Sequence, residues 1–193
     1  MVGNDYFHPD LLWLQTDGAW EVSKPFEFTT QNTMSFDAGD LDNDGQTEIF
    51  AADMKPYADE PMEPWQPLMA NMVTDPFHND PQIMANVLQR RDDQGTFQEV
   101  AGPAGVDGTG WTWSSKFGDL DNDGLLDLYA VNGMVDPNVF GHMPDFELVE
   151  ENQVFRNLGN ASFLPAPEWG LNTTVGGRGM SMADLDNDGD LDV

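Results

Sequence analysis

An acidic hexapeptide occurs three times in this chain, and its carboxylates have the spacing of a metal-binding loop. The sequence Asp-Leu-Asp-Asn-Asp-Gly occupies residues 40–45, 119–124 and 184–189. Each copy has carboxylates at positions 1, 3 and 5, and a further acidic residue follows at position 9. A curled backbone brings alternate side chains to one point, and glycine at position 6 permits the sharp turn. Four carboxylates within nine residues repel one another unless a cation lies between them.

The chemistry that suits such a loop is coordination of Ca²⁺, a hard cation that takes about 6–8 oxygen ligands. Positions 1, 3, 5 and 9 would supply side chains, and position 7 its backbone carbonyl. We therefore predict up to three calcium sites, formed by Asp40, Asp42, Asp44, Gln46 and Glu48; by Asp119, Asp121, Asp123, Leu125 and Asp127; and by Asp184, Asp186, Asp188, Asp190 and Asp192.

Other interpretations of these loops fit less well. Mg²⁺ demands a tighter octahedral geometry and keeps its waters, and transition metals favour His or Cys. The chain has no cysteine, and its three histidines lie far apart. An EF-hand needs Glu at position 12, but Ala51 and Ala130 stand there, between strand-like flanks. A solvated acidic turn would explain one copy, whereas three copies with all four acids favour calcium.

Strand-like segments flank each acidic loop. Short alternating segments precede the loops at residues 34–39, 113–118 and 179–183, and apolar runs follow the first two at residues 49–52 and 128–131. Segments 11–22, 86–100 and 153–164 each hold two further apolar runs around a Gly-containing turn, which is a hairpin signal. Two strands around an acidic loop and two around a tight turn make one blade of a β-propeller.

The predicted fold is all-β, a partial β-propeller of about three blades with four antiparallel strands each. A closed propeller needs about 4–8 blades, so we expect residues 1–193 to be one propeller segment, truncated at both ends. Residues 55–81 and 133–150, rich in Pro and Met, are predicted to be inserted loops, the first with a helical turn around Gln66–Val73. Trp111 and Trp113 are expected to pack, with sugar stacking as the alternative.

The charge of the chain limits the classes of molecule that it can bind. Its 35 acidic and 7 basic residues give a formal net charge of −28, which argues against nucleic acid and anionic membranes. Absence of cysteine excludes a disulfide scaffold. We find no apolar run long enough for membrane insertion, and the start of the chain has no signal-peptide pattern. A signal peptide is expected to have been lost with a missing N-terminal part.

The loop and its flanks resemble a known repeat. Residues 117–128, Phe-Gly-Asp-Leu-Asp-Asn-Asp-Gly-Leu-Leu-Asp-Leu, resemble the FG-GAP/VCBS repeat of integrin-α-like propellers. Residues 94–97, 104–106, 113, 152–157 and 169–171 resemble the CRTAC/ASPIC-UnbV group, the cartilage-acidic-protein-like proteins. The first and third copies depart from the Phe-Gly start, with Ala38-Gly39 and Met182-Ala183, and no C-terminal ASPIC/UnbV segment is present.

This resemblance implies a seven- or eight-bladed propeller, extracellular or periplasmic, in which Ca²⁺ makes the blades rigid. It implies side-chain ligands at positions 1, 3, 5 and 9 and a carbonyl ligand at position 7. The expected function is non-catalytic, namely adhesion or binding of an unknown protein or glycan. The alternative is that the chain is the non-catalytic propeller portion of a secreted hydrolase or lyase.

Overall fold

Antiparallel strands account for most of the regular structure in this chain. A computed structural model describes residues 1–4, 8–57, 63–65 and 82–193. The helical turn predicted at Gln66–Val73 and most of the predicted insert 55–81 lie outside these residues. The strands are β1 (Leu12–Thr16), β2 (Ala19–Ser23), β3 (Thr29–Thr30), β4 (Ser35–Gly39), β5 (Glu48–Ala52), β6 (Met54–Lys55), β7 (Gln82–Ile83), β8 (Val87–Arg91), β9 (Phe97–Glu99), β10 (Gly110–Gly118), β11 (Asp127–Asn132), β12 (Met134–Val135), β13 (Glu147–Leu148), β14 (Gln153–Asn157) and β15 (Phe163–Pro165).

Two four-stranded blades follow the predicted plan. Blade 1 has the strand order β4-β5-β8-β9, and blade 2 has β10-β11-β14-β15, with the short strand β6 paired to β10 as a fifth strand of that sheet. The acidic loop joins the two inner strands, with Gly39 opposite Glu48 in blade 1 and Gly118 opposite Asp127 in blade 2. The outer hairpin continues each sheet. Alternating apolar residues and Gly-containing turns thus form the blades that the sequence predicts.

Half-blades lie on either side of this pair. The hairpin β1–β2 forms a sheet of its own, and the third acidic loop is closed by an antiparallel bridge between Ala183 and Asp192. A second bridge, between Val2 and Leu11, leads into β1 and corresponds to the pairing of Ala130 with Gln153 in blade 2. The hairpin β1–β2 therefore corresponds to the outer half of a blade, and residues 183–192 correspond to the inner half of another.

One repeated hydrogen bond fixes this equivalence. A buried Asn or Asp just ahead of each outer hairpin accepts a backbone N–H at the end of the preceding strand segment. The bonds run from Asn4 N to Asp10 Oδ1 (3.0 Å), from Asp53 N to Asn86 Oδ1 (2.8 Å) and from Asn132 N to Asn152 Oδ1 (2.9 Å). Counting from them makes Trp13 the counterpart of Phe155 and Gln15 the counterpart of Asn157. Trp20 is the counterpart of Phe163, because Trp20 lies opposite Gln15 and Phe163 lies opposite Asn157.

The main core lies between the two blades. Leu41, Phe50 and Leu88 of blade 1 pack against Phe155 and Phe163 of blade 2, and all five are buried. Burial of such side chains stabilises each blade by about 1.5–3 kcal/mol per residue. The sheets curl into a half-barrel with almost no helix, as expected for a partial propeller. In the described ranges no helix is long and apolar enough to cross a membrane.

The second predicted insert, residues 133–150, contains a short antiparallel ribbon. Strand β12 pairs with β13, and Phe140 between them is fully buried. Phe140 packs edge-on against Trp111, with ring centroids 5.3 Å apart. Trp113 donates its indole N–H to the carbonyl of Gly133 at 2.7 Å. The packing role expected for the two tryptophans is therefore what the structure shows.

Candidate calcium sites

Each acidic loop is folded by the same set of hydrogen bonds. The position 1 carboxylate accepts the backbone N–H groups of positions 5 and 6. In the first loop Asp40 accepts from Asp44 at 3.0 Å and from Gly45 at 2.9 Å. The second and third loops repeat both bonds at 3.0–3.1 Å. The loop curls around its first carboxylate, because glycine at position 6 has a positive φ, 85° at Gly45.

Three carboxylates converge in every loop. Positions 1, 3 and 9 each offer an oxygen, and within a loop these oxygens all lie within 4.8 Å of one another. The three groups are Asp40, Asp42 and Glu48; Asp119, Asp121 and Asp127; and Asp184, Asp186 and Asp192. The structure therefore brings together nine of the predicted ligands in three sets.

Positions 5 and 7 have other partners within the loop. Asp44 accepts the backbone N–H of Gln46 at 2.7 Å, and Asp123 accepts that of Leu125 at 2.9 Å. Asp188 and Asp190 repeat this bond at 3.0 Å in the third loop. In the first loop the second oxygen of Asp44 also accepts from Gln46 Nε2 at 3.3 Å. The structure therefore does not bring the predicted position 5 ligands into the converging sets.

The position 9 acids of the first two loops are buried. Glu48 is 1% exposed and Asp127 is 0% exposed. Each closes its loop by accepting the backbone N–H of position 2, from Leu41 and Leu120 respectively, at 2.9 Å. Burial raises the pKa of both carboxyls, and the neighbouring position 3 and 5 carboxylates raise it further. A buried carboxylate among other carboxylates is costly unless a cation is bound.

Two oxygens in these loops are buried without a hydrogen-bond partner among the described residues. They are Oδ1 of Asp42 and Oδ1 of Asp121, both at position 3. A buried carboxylate oxygen that binds nothing costs about 1–3 kcal/mol, more when it is charged. A hard cation between positions 1, 3 and 9 would satisfy both atoms, so the residues present fit Ca²⁺.

The other oxygen of position 3 faces an arginine in the first two loops. Arg90 pairs with Asp42 Oδ2, and Arg156 lies with Nε 3.0 Å from Asp121 Oδ2. Both arginines occupy the same place in the outer hairpin of their blade. Sequence analysis did not identify these two arginines as part of the sites. Their equivalent positions in β8 and β14 were a signal that could have identified them.

The asparagine at position 4 is a further residue that sequence analysis missed. Asn43, Asn122 and Asn187 have φ values of 58°, 56° and 63°, a left-handed conformation that asparagine tolerates better than most residues. Asn43 Nδ2 donates to the carbonyl of Gly124 at 2.9 Å, and Asn122 Nδ2 donates to Asp190 at 2.6 Å. Asn43 and Asn122 therefore each link their loop to the next. Its repetition in all three hexamers was the signal.

The third loop differs from the first two in exposure. Asp184, Asp186 and Asp192 are all exposed. Leu185 at position 2 is 75% exposed, whereas its counterpart Leu41 is 0% exposed. The difference follows from the fold, because the described residues supply no outer hairpin to cover this loop.

Comparison with known proteins gives a family match for the segment that contains the third loop. A search of curated proteins found no match. Residues 143–193, which include the third loop, match the family model described as an FG-GAP-like repeat. The match supports the FG-GAP repeat family and a propeller-like repeat domain. The stretch from residue 143 to the third acidic loop is therefore an FG-GAP-like repeat, and the two complete blades contain the same hydrogen-bonded loop.

Proposed function

We propose that this chain is a calcium-braced, non-catalytic propeller segment. The observation that carries the proposal is the pair of buried position 3 oxygens, on Asp42 and Asp121, that face the converging carboxylates without a partner. The same unmet acceptor recurs at the same place in two blades. Repetition of this kind favours a ligand common to every blade over one active site.

The residues that would hold Ca²⁺ are those of positions 1, 3, 5, 7 and 9 in each loop. The ion would neutralise converging carboxylates and cross-link the two strands that the loop joins. The chain's own groups prepare the site before any ion binds. The backbone N–H groups fix position 1, and the buried position 9 acid fixes the start of the second strand. In the first two loops the arginine also pairs with the position 3 carboxylate.

The three sites are expected to differ in affinity. Arg90 and Arg156 place a positive charge beside the first two sites, which weakens the attraction for a second cation. Their loops are also half-buried and pre-formed. The third loop has no arginine partner among the described residues, so its negative charge attracts Ca²⁺ more strongly. It is also exposed, and the free-energy cost of ordering it on binding opposes that gain in affinity.

Calorimetric titration of the chelated chain with CaCl₂ tests this proposal. We expect up to three bound Ca²⁺ per chain, with little heat from MgCl₂. Asp42→Asn, Asp121→Asn and Asp186→Asn each change one position 3 ligand and should each remove one site. Asp93→Asn, an exposed acid outside the loops, makes the same charge change and should leave the count unaltered. A titration without heat, or three variants that bind like the parent, would refute the proposal.

The cellular role follows from the family rather than from the site. The FG-GAP-like match and the resemblance to CRTAC/ASPIC-UnbV proteins support an extracellular or periplasmic location and a role in adhesion or in binding a protein or glycan. Millimolar calcium outside the cytosol would keep such loops loaded. Glycan-array and extracellular-protein-array binding of the Ca²⁺-loaded chain tests this role, with a chelated sample as control. Equal signals from both samples would contradict it.

A further inference from the structure

The first two acidic loops contact each other directly across the interface between the blades. Asn43, at position 4 of the first loop, donates Nδ2 to the carbonyl of Gly124, at position 6 of the second, at 2.9 Å. We propose that this bond and two further contacts make the first two calcium sites a cooperative pair, in which loading one site raises the affinity of the other. This inference rests on the proposed function and adds a coupling between its sites.

The bond from Asn43 reaches the residue that is the predicted position 7 ligand of the second site. Positions 4–6, the tip of each loop, are exposed in both loops, and segments held by exposed hydrogen bonds open most readily. The peptide between Gly124 and Leu125 is held on both sides. Its carbonyl accepts from Asn43, and its N–H donates to Asp123 at 2.9 Å. Ordering the first tip therefore helps to order a ligand residue of the second site.

A second contact joins the two loops at their buried ends. Asn157 donates Nδ2 to the carbonyls of Leu41 at 2.7 Å and Leu126 at 3.0 Å. Leu41 is position 2 of the first loop and Leu126 is position 8 of the second, so each lies between two predicted ligands. The amide oxygen of Asn157 accepts the N–H of Gly159 at 2.9 Å, which fixes the orientation of this side chain. One amide thus connects the backbones of both sites.

A third contact runs through the position 3 ligand of the first site. Arg90 pairs with Asp42, and the other terminal nitrogen of this arginine donates to the carbonyl of Asn160 at 3.3 Å. Asn160 lies in the turn between β14 and β15. The same hairpin carries Arg156, the partner of Asp121. The position 3 ligands of the two sites are therefore joined through one hairpin.

Close packing beside the loops also opposes independent movement. Gly39 directly precedes the first loop, and a Cβ at this position would lie 2.5 Å from Cδ1 of Leu126 in the second. Leu126 packs against the buried core that contains Leu41. Close-packed groups transmit a displacement to their neighbours. A change in one loop is therefore expected to reach the other.

Charge acts in the opposite direction. Each of the two loops has four carboxylates and one paired arginine, a formal charge of −3, and the two charges of a bound Ca²⁺ would leave −1. A loaded loop therefore attracts the next ion less. At about 0.15 M salt this attraction is screened beyond about 8 Å, whereas the hydrogen bonds are direct contacts. We expect the contacts to outweigh the charge at this salt concentration, and the coupling to increase as salt rises.

The third loop is joined to the second in a different way. Asn122 donates Nδ2 to Oδ1 of Asp190 at 2.6 Å. This bond ends on an exposed side chain, which can turn away without moving the backbone of its loop. The bond from Asn43, by contrast, ends on a backbone carbonyl. The coupling of the third site to the second is therefore expected to be smaller than that between the first two sites.

Calorimetric titration of two-site chains with CaCl₂ in about 0.15 M NaCl tests the proposal. Asp186→Asn leaves the first and second sites, and Asp42→Asn leaves the second and third. In Asp186→Asn we expect the second ion to bind at least about fivefold tighter than the first, after statistical correction. In Asp42→Asn we expect a smaller factor.

A matched pair of glycine substitutions in the Asp186→Asn chain tests the route. Asn43→Gly removes the donor and suits the left-handed backbone, with φ 58° at this residue, so it should lower the coupling while both ions still bind. Asn187→Gly makes the same change in the third loop, at φ 63°, where the described residues show no hydrogen bond from this side chain to another loop. It should leave the coupling unchanged.

Hydrogen exchange gives a readout that does not depend on binding heat. In the double variant Asp42→Asn/Asp186→Asn, Ca²⁺ can load only the second site. We expect loading to slow the exchange of the backbone amides of Asp44 and Gly45, at the tip of the first loop. Adding Asn43→Gly should reduce this slowing.

The outcomes separate this inference from the proposed function. Two ions that bind Asp186→Asn with no gain in affinity for the second would overturn the cooperative pair and leave calcium binding standing. Exchange in the first loop that is unchanged when the second site is loaded would do the same. Equal coupling in Asn43→Gly and Asn187→Gly would overturn the role of Asn43. A parent chain that binds no Ca²⁺ would overturn the proposed function and this inference together.

Discussion

The position 9 acids are structural residues of their loops as well as proposed calcium ligands. Glu48 accepts the N–H of Leu41 from a site where it is 1% exposed, and burial raises its pKa. Its ionised form is therefore costly in the folded chain until a cation binds. The carboxylate that closes the loop without calcium is the one that calcium would stabilise most.

Replacing Glu48 separates these two roles. In Glu48→Gln the amide oxygen can still accept from Leu41, and the buried charge is gone. We expect the chelated variant to unfold at a urea concentration equal to or above that of the parent. In calcium, by contrast, affinity for the first site should fall at least about tenfold, since even outer-shell changes cost that much. A variant that loses stability without calcium and keeps its affinity would contradict this assignment.

Asp53 is a buried carboxylate outside the loops. Burial raises its pKa to about 6, although Gln31, Asn32 and Met54 donate backbone N–H groups to it at 2.6–2.9 Å. The folded state binds this proton more tightly than the unfolded state does. Stability is therefore greatest below the unfolded value of 3.8 and is lost as pH rises through about 6.

We expect the pH dependence of urea unfolding to report this group. From pH 5 to pH 7 in chelator, Asp53 should lower the unfolding free energy by about 1 kcal/mol. Asp53→Asn should remove that part of the slope, whatever its effect on absolute stability. Asp93→Asn is the control for the charge change and should keep the parent slope. An Asp53→Asn slope equal to the parent slope would disprove the assignment.

At the scale of elements, Asn157 joins the two complete blades. It lies at the end of β14, is 1% exposed, and donates Nδ2 to the carbonyls of Leu41 (2.7 Å) and Leu126 (3.0 Å). Its backbone N–H donates to Asp127 Oδ1 at 2.8 Å. One side chain therefore fixes both acidic loops relative to the outer hairpin of blade 2.

Removing this amide should destabilise both loops together. Asn157→Ala leaves two buried carbonyls without their donor, at a cost of about 2–4 kcal/mol. Urea unfolding in calcium measures the loss, and calcium affinity at the first two sites should also fall. Asn138→Ala, at an exposed asparagine, is the matched control. A loss below about 0.5 kcal/mol would show that Asn157 does not couple the blades.

The elements that the sequence predicts are those with local signals. Alternating apolar residues and Gly-containing turns predict the hairpins of both blades, and the spacing of the acids predicts the loops. The pairing of Arg90 with Asp42 joins residues 48 apart, and that of Asn157 with Leu41 joins residues 116 apart. The first pair depends on how the outer hairpin meets the acidic loop of its own blade, and the second on how the two blades stack. No local pattern encodes either contact. The ribbon β12–β13 was also missed, because its strands have only two residues each.

At the scale of the whole molecule, charge is the dominant feature. The formal net charge is −28, and each bound Ca²⁺ would offset two units of it. Self-repulsion of this size opposes a folded chain. Four ion pairs, including Lys116 with Asp37 at 3.5 Å between β10 and β4, offset little of it in the described residues.

Salt should therefore stabilise the chain more when calcium is absent. Raising NaCl to about 0.15 M shortens the screening length to about 8 Å and weakens repulsion between surface carboxylates. We expect the melting temperature of the chelated chain to rise with salt, and that of the loaded chain to rise less. Differential scanning calorimetry at several NaCl concentrations measures both. Equal salt dependence in the two samples would mean that calcium does not relieve this repulsion.

The most direct test of the account is urea unfolding of the chain at fixed protein concentration in excess calcium and in chelator. A ligand at 100 times its dissociation constant stabilises the folded state by about 2.7 kcal/mol per site. We predict an unfolding free energy that rises by at least this amount in calcium, and a smaller rise in Asp42→Asn and Asp121→Asn. Equal unfolding free energies in calcium and in chelator would contradict the claim that calcium braces these blades.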